Sequence, residues 1–158
     1  MIEVENALER TLIVSATPEQ AFALVCSIPD SSAHFPGVES VTPEAGGWTW
    51  RLEKAGVGSV SLQAVYGCRY VSDAAARTLT WSPLEGVGNT RVSGSWRIAP
   101  GPGGTRLEFR NRAVLSLPLP RLMRAMVAGF IQRENAKLID GYLANLGKTL
   151  SGGDGRLR

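Results

Sequence analysis

From Leu119 onward, apolar residues return at every third or fourth position: Leu119, Leu122, Met123, Met126, Val127, Phe130 and Ile131, continued by Leu138, Tyr142 and Leu146. That is the spacing of one helical face. Pro120 suits a first helical turn, so the pattern predicts a helix from residue 120 to near Lys148. At 1.5 Å per residue such a helix is a rod of about 45 Å, long enough to cross a small domain. Its apolar stripe needs a cover, and the chain before it supplies strands. A first strand is predicted over residues 7–15, and six more over 38–44, 48–55, 59–72, 77–82, 89–99 and 104–116, parted by Gly, Pro and Asp clusters. The short links make neighbouring strands antiparallel. After the first strand, Thr17-Pro18-Glu19-Gln20 forms a capping box that opens a short helix over 18–27. Ile28-Pro29-Asp30-Ser31 interrupts it before one more helical turn ending near His34, and Phe35-Pro36-Gly37 turns the chain towards the sheet.

Alternation along the strands assigns their faces. Val92, Gly94, Trp96 and Ile98 oppose Arg91, Ser93, Ser95 and Arg97, and Leu107, Phe109, Asn111, Ala113 and Leu115 oppose Arg106, Glu108, Arg110 and Arg112. The same rule groups Val60, Leu62, Ala64, Tyr66, Cys68 and Tyr70, then Leu79 with Trp81, and Trp48 with Trp50 and Leu52. These apolar sets are the ones expected to face the long helix. Residues 1–150 are read as a single domain, and the tail 151–158, whose only apolar anchor is Leu157, is expected to be disordered.

Composition narrows the chemistry. A net charge of +3 over 158 residues is a weak pointer to anionic partners. No apolar run is long enough for a membrane span, and the start MIEVENALER has neither a basic lead nor an apolar signal core, so a cytoplasmic location without stable membrane insertion is expected. Cys26 and Cys68 stand alone and read as reduced thiols. With a single histidine, His34, in a Pro/Gly-rich connection, neither a Ser-His-Asp arrangement nor a metal site is expected, and no cofactor. Gly56-Val57-Gly58 and Gly86-Val87-Gly88 lie between strands with no helix start, against a nucleotide loop.

Polar residues where the pattern asks for apolar ones are the candidates. Glu134 falls on the inner stripe of the helix, and Asn111 on the inner face of the last strand. Glu134 reads as a structural or rim residue paired with Arg10 or another arginine, with a pocket acid or base as the second reading. Tyr66 and Tyr70 read first as core aromatics and second as donors to a ligand carbonyl. Trp48, Trp50, Trp81 and Trp96 either line a cavity or fill it. Met126, Phe130 and Phe109 would complete its wall. On the outer face Arg91, Arg97, Arg106, Arg110 and Arg112 gather with Glu108 as the only acid among them, and without the aromatic interleaving that single-stranded nucleic acid needs. A solvated face is favoured there over an anionic partner, and no nucleic-acid partner is expected.

The order strand, two short helices, six antiparallel strands and long helix resembles the helix-grip fold of the START and polyketide cyclase superfamily, especially the branch that holds the G-type accessory protein of carbon monoxide dehydrogenase. The local marks are Thr17-Pro18-Glu19-Gln20-Ala21-Phe22, Phe35-Pro36-Gly37-Val38 and Gly103-Gly104-Thr105. The resemblance implies an α+β fold in which a curved seven-stranded antiparallel sheet wraps the C-terminal helix, leaving a cavity for a lipid, sterol, quinone or polyketide. Three functions follow from it: a binder of a small hydrophobic molecule; a cyclase or dehydratase using Glu134 or Tyr66 in the same pocket; or an assembly or membrane-associated accessory factor resembling that dehydrogenase accessory protein, acting through the arginine face or the Met/Phe surface of the helix, with another protein or a second copy as partner.

Overall fold

The computed structural model describes residues 1–152. A strand β1 (Ile2–Val14) leads into helices α1 (Pro18–Cys26) and α2 (Ile28–Ser32). Strands β2 (Val38–Glu44), β3 (Gly47–Leu52), β4 (Ala55–Val57), β5 (Val60–Leu62), β6 (Val65–Asp73), β7 (Thr78–Gly88), β8 (Thr90–Gly101) and β9 (Gly104–Leu117) follow, and helix α3 (Arg124–Leu150) closes the fold. Seven strands form one sheet in the order β1-β9-β8-β7-β6-β3-β2, every pair antiparallel, wrapped round α3. The α+β helix-grip architecture expected from the sequence is the one observed.

The departures have local causes. β1 begins at Ile2, five residues before the predicted start, because Ile2, Val4 and Asn6 turn inward while Glu3 and Glu5 stay wet. The stretch expected as two long strands over 48–72 instead leaves the sheet after Leu52 and returns at Val65, and a separate β4–β5 hairpin lies between. Its base is clamped: Gln63 donates to the Leu52 carbonyl at 2.9 Å, and Asn89 donates to the Gln63 carbonyl at 2.8 Å. The Pro83–Gly88 segment, read as a turn, belongs to β7, which carries its extra residues as a bulge between Pro83 and Gly88. Gly67 opposite makes room, since a Cβ there would come within 3.0 Å of Leu84 and Val87.

α1 carries the expected capping box, with Thr17 and Gln20 bonded reciprocally. The long helix is entered through a 3₁₀ turn at Arg121–Met123 rather than directly at Pro120, and it runs to Leu150. Leu150 is buried and its carbonyl accepts from the Ala16 N–H at 2.9 Å, which carries the helix past Lys148. The part of the tail from residue 153 on lies outside the described residues. At the other end the predicted stripe overshoots: Val127 and Ile131 are buried, but Leu122 is 97% exposed and Met126 51%.

The arginine face is largely neutralised by register. β1 lies beside β9, so Glu5 meets Arg112 at 2.6 Å and Glu9 meets Arg110 at 3.2 Å, while Glu108 takes Arg106 and Glu85 takes Arg91. Each pair is solvated and contributes little to stability, but together they leave no concentrated positive field.

On the inner side of β1, Asn6 is 7% exposed and its Nδ2 has no hydrogen-bond partner among the described residues. A buried amide without a partner costs about 1–3 kcal/mol. Asn6→Leu is therefore expected to stabilise the protein by about 1 kcal/mol and raise its thermal midpoint by roughly 3 °C. A lowered midpoint in calorimetry would mean that the amide is satisfied by a group such as water.

Candidate functional site

Period two places bulky inner-face side chains on β3, β6, β7, β8 and β9, and α3 lies across them without filling the space. A cavity of about 160 Å³ remains. Trp50, Tyr66, Tyr70, Trp81, Trp96, Phe109, Asn111, Phe130 and Glu134 all line it. Met126 does not: it sits a turn too early on α3 and faces out. Trp48 packs against the core beside the cavity instead of on its wall.

The aromatic wall closes on itself. Trp50 meets Phe35 edge-on at 5.8 Å, Phe35 meets Tyr142 at 5.2 Å, Tyr142 meets Phe109 at 6.2 Å, and Phe109 meets Trp81 at 5.8 Å. Trp81 touches Tyr70 at 6.1 Å, and the Tyr70 hydroxyl accepts from Trp50 Nε1 at 3.0 Å, which completes the circuit. Tyr66 stacks on Trp50 at 5.9 Å, and Trp96 braces Phe109 at 4.8 Å. Such contacts hold the rings in fixed attitudes, so the wall is preorganised.

One glycine makes part of this possible. Trp81, Gly94 and Asn111 stand side by side on β7, β8 and β9. Because Gly94 has no side chain, the Trp81 indole lies across it and donates from Nε1 to Asn111 Oδ1 at 3.0 Å, bridging two strand spacings. Asn111 is thereby oriented, with its amide N–H groups left over.

Among the polar groups of the wall, the tyrosine hydroxyls keep their protons. The Tyr66 hydroxyl hydrogen-bonds to no described residue, and burial, reinforced by the neighbouring Cys68 and Tyr142, pushes its phenol well above the ordinary range. It therefore keeps its proton. Burial likewise pushes the Cys68 thiol up to about 12 and the Tyr70 phenol higher still, so neither is a nucleophile at neutral pH. Ser31 and the Tyr142 hydroxyl satisfy each other at 2.5 Å.

The cavity reaches the surface where exposed Glu53 and half-buried Glu134 and Asn135 join its lining. Glu134 forms no ion pair among the described residues. Arg10, its expected partner, binds Asp140 at 2.8 Å instead. His34 is a structural knot outside the cavity, with Nδ1 2.8 Å from the Asp30 carbonyl and Nε2 2.7 Å from Thr149 Oγ1. Sequence reasoning did not pick out Phe35, Ser31 or Tyr142 for the wall. Phe35 lies in a turn with no periodicity to mark it, and Tyr142 read as one more core residue of the helix.

A model of the family described as polyketide cyclase / dehydrase and lipid transport matches residues 6–149. The chain belongs to that family. Among solved structures, TTHA0849 from Thermus thermophilus aligns at 21% identity with a TM-score of 0.59, over 95% of this chain and all (100%) of that one. The Zhui aromatase/cyclase of a Streptomyces species aligns at 16% identity and TM-score 0.61, over 96% and 99% of the two chains. A START superfamily protein of Mycobacterium smegmatis aligns at 16% identity and TM-score 0.53, over 91% and 98%. No curated protein matches in sequence. At these identities the structures speak for the fold. They share the helix-grip fold of this member of the polyketide cyclase/dehydrase and lipid transport family. Within that fold the wall of this chain combines a closed aromatic circuit, a protonated Tyr66 and acidic residues at the mouth.

Proposed function

We propose that the protein binds a small, neutral, largely planar molecule that carries a hydrogen-bond acceptor such as a ketone carbonyl. The observation that carries this reading is Tyr66, a protonated donor without a described partner on the wall of an aromatic cavity. Asn111 adds amide protons, and carboxylates at the mouth disfavour an anionic guest. Size limits the guest as well. A cavity near 160 Å³ matches apolar cavities that take up one benzene-sized molecule, so a larger lipid or polyketide must extend through the mouth past Glu53 and Glu134.

Trp50, Trp81 and Trp96 on the wall make binding readable as a change in tryptophan fluorescence. Acetophenone is expected to bind about tenfold more tightly than ethylbenzene, which has nearly the same shape without the acceptor, and Tyr66→Phe is expected to remove most of that preference. Equal affinities for the two probes would refute the donor role. Failure of both to bind would refute the cavity as a small-molecule site.

A second reading, a cyclase or dehydratase, is supported by Glu134, an acid on the wall with no described ion-pair partner. There Tyr66 would hold a carbonyl while Glu134 accepts the proton of the adjacent carbon. Turnover of a ketone substrate that Glu134→Gln abolishes without weakening its binding would move the assignment from binder to enzyme.

A further inference from the structure

The apolar stripe of α3 outruns the sheet that covers it. Leu122, in the 3₁₀ entry, and Met126 and Phe130, in the helix, follow at steps of four, so they fall on one side. Phe130 lines the cavity, whereas Leu122 and Met126 are two of the four large apolar side chains exposed among the described residues. The charged residues nearest them along the chain are arginines, with Glu134 the first acid beyond. Between Glu108 and Glu134 the chain carries five arginines and no acid. Arg121, Arg124 and Arg133 are exposed and form no ion pair among the described residues, in contrast to Arg110 and Arg112.

We infer that this end of the protein is a peripheral docking surface for an anionic lipid bilayer. Leu122 and Met126 enter the boundary between headgroups and acyl chains, and Arg121, Arg124 and Arg133 rest on the phosphates. A protein partner fits less well: a specific interface needs about 800 Å² per side, far more than two protruding side chains supply. A bilayer asks only for a few apolar side chains ringed by cations. The mode is surface attachment, since no described helix is long and apolar enough to cross a membrane. Eight residues separate Leu122 from Phe130, a rise of about 12 Å, so docking brings the cavity wall within three helical turns of the lipid. The inference stands apart from the identity of the guest, because it concerns the outer surface and is tested without one.

The test is co-sedimentation of the full chain with vesicles of phosphatidylcholine, alone or with about one third phosphatidylserine. The protein is expected to bind the mixed vesicles at least tenfold more tightly than the neutral ones. Arg121→Gln/Arg124→Gln is expected to weaken binding to the mixed vesicles by roughly 20-fold, about fivefold per arginine. Leu122→Ser/Met126→Ser is expected to weaken it by tenfold or more. Both variants alter exposed residues, and an unchanged thermal midpoint verifies that each is folded. Absence of binding to the mixed vesicles would overturn the inference, and so would binding that both variants leave unchanged. A concentration-dependent dimer in sedimentation velocity, abolished by Leu122→Ser/Met126→Ser without any vesicle binding, would reassign the face to a second copy of the chain.

Discussion

Raising the pH from 8 to 11 is expected to remove at least about 3 kcal/mol of folding stability, a large part of what a domain of this size commonly has. The cause is the set of neutral acids sealed into the cavity wall. Burial holds Cys68 near 12 against an ordinary value of 9.0. Burial also raises Tyr66 and Tyr70 far above 10.0, and Tyr142 in the same direction. Below pH 9 both folded and unfolded chains hold these protons, and their contribution is fully present. Above about pH 9 the unfolded chain sheds the Cys68 proton, and above about pH 10 those of the tyrosines, while the folded chain keeps them, so stability falls by about 1.4 kcal/mol per pH unit for each group being titrated. At pH 11 that is about 3 kcal/mol from Cys68, with the buried tyrosines adding to the loss. Urea midpoints should be level between pH 6 and about 8.5 and then drop steeply, with tyrosinate absorbance appearing together with unfolding. Tyrosines that titrate near pH 10 in a chain still folded would refute the sealed wall.

Gly94→Ala is expected to cost about 3 kcal/mol, and Gly94→Val more. The added Cβ would overlap the Arg110 carbonyl oxygen and come 2.6 Å from the Trp81 ring. The indole must then leave the sheet surface, which breaks its bond to Asn111 and narrows the cavity. Probe binding should therefore fall along with stability. Trp81→Leu added to Gly94→Ala should cost less than the sum of the two single changes, because it removes one of the colliding groups. Strict additivity, or an unchanged urea midpoint for Gly94→Ala, would show that the ring does not depend on the bare backbone.

The wall was readable in the sequence because each inner strand face alternates with wet neighbours. Trp50, Tyr66, Tyr70, Trp81, Trp96, Phe109 and Asn111 fall on one side by period two alone, and the cavity lies on that side. Where the outcome hung on long-range pairing, the pattern could not decide. Glu5 reaches Arg112 from 107 residues away, and only the β1–β9 register brings them together. Arg10 likewise finds Asp140 across 130 residues, which left Glu134 unclaimed. Helical periodicity tells which residues share a face and not how far the cover extends, so Leu122 and Met126 read like Val127 although no strand reaches them. Phe35 was hidden for the opposite reason: a turn has no period, and its ring joins the wall only because α2 and the Phe-Pro-Gly turn fold it towards Trp50 and Tyr142.

The two ends of α3 are held very differently. At its C-terminal end the Leu150 carbonyl binds Ala16, Thr149 binds His34, and Asn145 donates to the His34 carbonyl at 2.9 Å. At the other end no side chain caps the first turn, and the hold is apolar: Met123 packs on the core and Val127 is fully buried. The polar ties of the helix are thus gathered at its C-terminal end, while its N-terminal end is kept in place by contacts that have no preferred direction. Sliding along the helix axis is resisted at one end by directional bonds and at the other only by loss of buried area.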